Sequence, residues 1–206
     1  MEILRKIALS ASLVVVMLSA RAQTDNDLQN AFSASYSAEA KSNYALAISS
    51  IMPFYNDKNY ELNLRLGWLS YMSKNYPSSS AYYLKSCLLK PNSIEAKFGY
   101  TKPLSALQSW DKVLEQYLAI LKIDNQNTQA NYWAGTIEYN RKKYDLASKY
   151  FEKIISLYPF DYDANHMLAW SYLSLNKKSE AKVFFNRALL IKPADSSSTD
   201  GLNRSK

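Results

Sequence analysis

Apolar residues return along this chain at helical spacing, and the spacing itself repeats. Over 144–157, Tyr144, Ala147, Tyr150, Phe151, Ile154 and Ile155 fall on one helical face. Thirty-four residues on, Ala181, Phe185, Ala188 and Leu189 carry the same pattern. Cutting the sequence at Tyr60, Ile94, Thr128 and Tyr162 puts Tyr83, Tyr117, Phe151 and Phe185 in one column. Leu89, Ile123, Leu157 and Ile191 form a second column, and Gly67, Thr101, Gly135 and Ala169 a third. Pro91, Pro159 and Pro193 share a fourth, broken only by Asn125. A fixed period of this length predicts stacked helical hairpins.

In the unit 128–161 the first helix is predicted from about Gln129 to Asn140 and the second from about Tyr144 to Leu157. Arg141-Lys142-Lys143 makes the turn, and Pro159 stops the second helix. Asn92 with Glu95, and Asp161 with Asp163, read as helix starts. The units are 60–93, 94–127, 128–161 and 162–193, preceded by a degenerate hairpin at 28–59 in which Pro53 ends the second helix early. Pro103 falls inside a predicted first helix and is expected to kink it. The tail 194–206, rich in Ser, Asp and Gly, reads as disordered. Without a closing helix, the apolar edge from Phe184 to Ile191 would stay exposed.

The chain resembles a tetratricopeptide repeat (TPR) protein over about Leu28 to Lys192. Leu66-Gly67 matches the family's L-G pair, and Gly135, Tyr144, Ala147, Phe151 and Pro159 match its spacing. So do Ala169, Tyr172, Ala181, Phe185 and Pro193, while the second clear unit departs at Val113 and Asn125. The resemblance implies an all-α fold, a right-handed α-solenoid whose hairpins share stability along the stack.

Composition adds an address. Met1 to Lys6 is short and basic, Ile7 to Ala20 is apolar, and Ala20-Arg21-Ala22 supplies small residues before Gln23. That order predicts a secretory signal peptide, 1–22, cleaved after Ala22, with a periplasmic or secreted mature protein and no stable membrane insertion after cleavage. Gln23 to Asp27 reads as a flexible lead. The net charge of +7 shows no dense cationic stripe, which argues against a nucleic-acid partner. The single cysteine, Cys87, sits in an apolar run and reads as a buried thiol.

Nothing in the sequence predicts catalysis, a cofactor or a metal site. There is one His, no Gly-rich phosphate loop and no nucleophile motif. Glu138, Asp145 and Glu152 read as solvent-facing. The informative set is aromatic. A stripe on the first helices carries Trp68, Tyr71, Phe98, Lys102, Tyr132, Tyr139, His166 and Trp170, with Trp133 beside it. The resemblance implies that this stripe lines the concave groove, where aromatics serve as binding anchors. The resemblance also implies where a carboxylate clamp of Lys, Asn and Arg would sit; those places hold Trp68, Thr136 and Trp170, with Lys102 the lone exception, so a clamp is not supported. The reading is therefore a non-enzymatic scaffold of the cell envelope that binds a peptide or protein. The alternatives are self-association as a homo-oligomer through terminal helices, and glycan binding.

Overall fold

The computed structural model describes residues 25–206. The expected signal peptide lies outside them. The described residues fold into helices joined by turns, in two compact units, one ending at Lys90 and the other beginning at Pro91.

The first unit holds helix α1 (25–40), α2 (Tyr44–Ile51), a 3-10 turn at Met52–Phe54, α3 (Tyr60–Met72) and α4 (Tyr76–Leu89). The expected lead before Leu28 is already helical from residue 25. Its core gathers Ala31, Ala38, Ala47, Ile51, Leu62, Leu66 and Leu69. Arg65 is 7% exposed and lies among α1 side chains. It donates to Ser35 at 3.1–3.2 Å, pairs with Glu39, and stacks its guanidinium 3.9 Å from the Tyr36 ring centroid. Burial pushes the Glu39 carboxyl up, but hydrogen bonds from Trp68 and Arg65 prevail and hold it below its ordinary range. Cys87 is half-buried rather than buried.

The second unit holds α5 (Ile94–Ala106), α6 (Trp110–Ile123), α7 (Thr128–Asn140), α8 (Tyr144–Leu157), α9 (Tyr162–Ser174), α10 (Lys178–Ile191) and α11 (Ser196–Arg204). α5 runs through Pro103 without stopping. Glu138, expected at the surface, is buried and approaches Lys143 at 3.5 Å.

One set of local devices recurs in both units. Asn59, Ser93, Asn127, Asp161 and Asp195 each cap a first helix by accepting from the amide three residues on. Each such cap contributes about 1 kcal/mol. Ser93, not Asn92, is the cap at 94. Inside the hairpins, Lys74, Gln108, Lys142 and Asn176 take positive φ of 55–62°. The next amide, as in Asn75 N to Ser70 O and Lys143 N to Glu138 O, bonds back across the turn. This is the Schellman arrangement that turns a chain sharply after a helix. Between successive hairpins within each unit, a buried amide column fixes the turn. Asn63 donates to the carbonyls of Asp57 and Asn59, Asn131 to those of Asn125 and Asn127, and Asn165 to those of Pro159 and Asp161.

The small-residue column sets how closely the two helices of a hairpin approach. A Cβ added at Gly67 would lie 2.9–3.1 Å from the Tyr83 ring, and one at Gly135 2.9 Å from the Phe151 ring. Ala147, Phe151, Ile154, Ala164 and Leu168 form one buried cluster of the second unit, and Ala169, Ala181 and Phe185 another.

The expected disordered tail is instead α11, and the reason is periodic. Ser196 stands 34 residues after Tyr162, and its cap Asp195 accepts from Ser198 N as Asp161 does from Ala164 N. Gly201 lies on Phe185, which is 0% exposed. The expected open edge is therefore closed at Phe185, while Val183 and Leu190 stay exposed on α10. The outward residues of α11, Thr199, Asp200, Asn203 and Arg204, are polar, as a capping helix requires.

Two substitutions test this architecture. Asn131→Leu strips two turn carbonyls of their partner and should lower stability by about 2 kcal/mol in urea unfolding; an unchanged midpoint would remove the amide column from the account. Gly201→Val puts methyl groups into the Phe185 ring, since even a Cβ would lie 2.1–2.6 Å from it. Overpacking of this kind costs about 1–3 kcal/mol, so the α11 amides should lose hydrogen-exchange protection while α7 and α8 keep theirs.

Candidate binding surface

The stripe residues divide by how far each is already engaged. In the first unit, Trp68 is half-buried, its indole N–H donates to Glu39, and its ring stacks on Tyr71 at 6.1 Å. Tyr71 in turn meets Tyr76 at 5.7 Å.

In the second unit, Phe98 leans on Tyr117 at 6.1 Å, and Lys102 is exposed. Tyr132 stands edge-on between Trp133 (5.3 Å) and the buried Phe151 (6.1 Å), and burial pushes its phenol up. Tyr139 packs on Tyr144 at 5.1 Å. These half-buried rings keep part of their surface open.

His166 and Trp170 belong to a different group, because α11 occupies them. His166 Nδ1 lies 2.9 Å from the Ser198 hydroxyl, and its ring stacks on Tyr162 at 5.5 Å. Trp170 donates to the Ser197 hydroxyl at 3.2 Å and meets Phe185 edge-on at 5.2 Å. Their polar edges are satisfied by α11.

A second site lies beside the stripe and shares Thr136 with it. Trp110, Trp133, Thr136, Ile137, Asn140 and Arg141 line a cavity of about 330 Å³. Trp110 is 50% and Trp133 42% exposed. The exposure of Trp110 has a local cause. At its column in other units, Tyr76 and Tyr144 pack on Tyr71 and Tyr139 of the preceding helix. Before Trp110 the matching residue is Ser105, which offers no ring. Column comparison at 105 and 110 was the signal available for it. Arg141 pairs with Asp111, linking the end of α7 to the start of α6.

Among the described residues, no three His, Cys, Asp or Glu side chains gather as a metal-ligand set, and no helix is long and apolar enough to cross a membrane.

Residues 129–161 and 162–195 each match the family description "Tetratricopeptide repeat". No curated protein matches the chain. Among solved structures it resembles a tetratricopeptide repeat protein from Parabacteroides merdae, with 18% identity over 87% of this chain and 72% of that one, and a TM-score of 0.75. It also resembles MamA, with 17% identity over 82% of this chain and 93% of that one, at a TM-score of 0.71. A MamA fragment from Desulfovibrio magneticus RS-1 matches with 17% identity over 73% of this chain and 84% of that one, at 0.65. The fold is thus an all-α solenoid of TPR hairpins. Residues 129–195 carry tetratricopeptide repeats, and no enzyme family is indicated.

The His166–α11 contact predicts a pH response. Burial holds the imidazole below its ordinary range, against the pull of Asp195 and Asp163. With α11 undocked or the chain unfolded, the ring takes a proton near pH 6.5, which the docked state resists. The stability it contributes is therefore present above that pH and is lost as pH falls through it. Hydrogen-exchange protection factors for α11 should drop between pH 7 and 5, and His166→Gln should flatten the drop. A rise in protection on acidification would contradict the assignment.

Proposed function

We propose that the protein is a non-enzymatic scaffold of the bacterial cell envelope that holds a peptide or protein partner on the aromatic faces of its first helices. The observation that carries the reading is the series of half-buried rings with surface still open. Trp68 and Tyr71 supply it in the first unit, and Phe98, Tyr132 and Tyr139 beside the exposed Lys102 in the second. Rigid aromatics give large contact area at low entropic cost, and a helical framework holds them in place before a partner arrives. The basic, apolar and small-residue order of 1–22 supports export. The tetratricopeptide repeats support a protein partner. His166 and Trp170, half-buried like Trp68, also anchor the cap.

The test is capture from an envelope extract with the full chain, beside a variant carrying Trp68→Ala and Lys102→Glu. The wild type should retain a defined partner and the variant should lose it by about tenfold or more, with the helical circular dichroism unchanged. Equal retention by both would move binding off these faces.

A further inference from the structure

We propose that the Trp110–Trp133 cavity is an anchor pocket for a partner peptide that carries one bulky apolar side chain beside acidic residues. This rests on the scaffold reading and adds a located site and a ligand chemistry to it.

The pocket is built by the fold. Phe151, fully buried, fixes Tyr132, which meets Trp133 edge-on. Thr136 donates to the Tyr132 carbonyl at 2.9 Å, one turn along the same face. The Arg141–Asp111 pair spans the surface between the helix bearing Trp133 and the start of the helix bearing Trp110. Two half-exposed indoles thus stand on separate helices around a cavity of about 330 Å³, at the small end of ligand pockets, which run from about 300 to 1,000 Å³. That volume suits one anchoring side chain with its flanking backbone.

The polar groups decide the ligand class. The Thr136 hydroxyl proton is committed to Tyr132, and Arg141 is engaged by Asp111. Asn140 is the lining amide left to meet a ligand, well matched to a peptide carbonyl or N–H. A saccharide presents hydroxyls on every side and needs more partners than these. Charge then sets the flanks. The exposed Lys112 and Lys142 stand next in sequence to the Asp111–Arg141 pair, leaving these segments net positive. Carboxylates beside the anchor complement them, and a cationic ligand is opposed.

The test uses fluorescein-labelled blocked hexapeptides and the full chain, read by anisotropy. The three peptides carry Leu flanked by Asp, Ser flanked by Asp, and Leu flanked by Lys. The Asp-flanked Leu peptide should bind saturably. The other two should bind about tenfold more weakly or worse. Trp110→Ala and Trp133→Ala should each weaken it at least about tenfold, while Leu190→Ala, at an exposed position on α10, leaves it unchanged. Asn140→Asp, at an exposed site, should weaken it without touching the fold, which guards against loss of structure in the tryptophan variants. Binding that survives both tryptophan changes but falls with Trp68→Ala overturns the pocket and leaves the peptide scaffold standing. Absence of peptide binding, with saturable quenching by maltohexaose, overturns both. A protein that answers to none of the probes overturns the pocket.

Discussion

Everything else in this molecule depends on one contact: an aromatic ring of the second helix lying where the first helix has almost no side chain. At Gly67 and Gly135 there is no room for even a methyl group under Tyr83 and Phe151. In those two hairpins the contact sets the separation of the paired helices. It also reaches the surface. Phe151 holds Tyr132, Tyr132 holds Trp133, and the orientation of an exposed indole is thereby fixed from the core outward.

The same logic explains which rings of the stripe are open. A first helix offers its face to whatever follows, and after α9 the chain supplies its own occupant. α11 begins one repeat period after α9, and it consumes the polar edges of His166 and Trp170. Farther back, the stacking pattern of tyrosine on tyrosine fails at Ser105, so Trp110 is left half in water. Open aromatic surface thus arises where the repeat is imperfect, and closure where it is extended.

Much of this was legible in the sequence. The 34-residue columns placed the hairpins because period and packing are the same fact in a repeat protein. The tail was misread because its composition, short of apolar residues, suggested disorder. Asp195 in the capping column with Asp161 and Asn127 was the contrary signal, and it outweighs composition when a ready-made apolar surface waits for the helix. Glu138 departs from the expectation that a charged residue on a helix faces water: it is buried, and the exposed Lys143 across the turn approaches it at 3.5 Å. Lys102 and the half-buried aromatics stand on the first helices as expected. What no column could show was that α11 covers two members of the stripe, or that Trp110 and Trp133, far apart in the chain, border one cavity.

The account sorts the four tryptophans into two classes, and the exchange of their indole N–H protons with solvent tests that sorting directly. Residue-assigned NMR at neutral pH should find Trp68 and Trp170 protected by Glu39 and Ser197, and Trp110 and Trp133 exchanging freely. Protection at Trp110 and Trp133 with fast exchange at Trp170 would mean that α11 does not cover the stripe and that the pocket is closed, which contradicts the account at its centre.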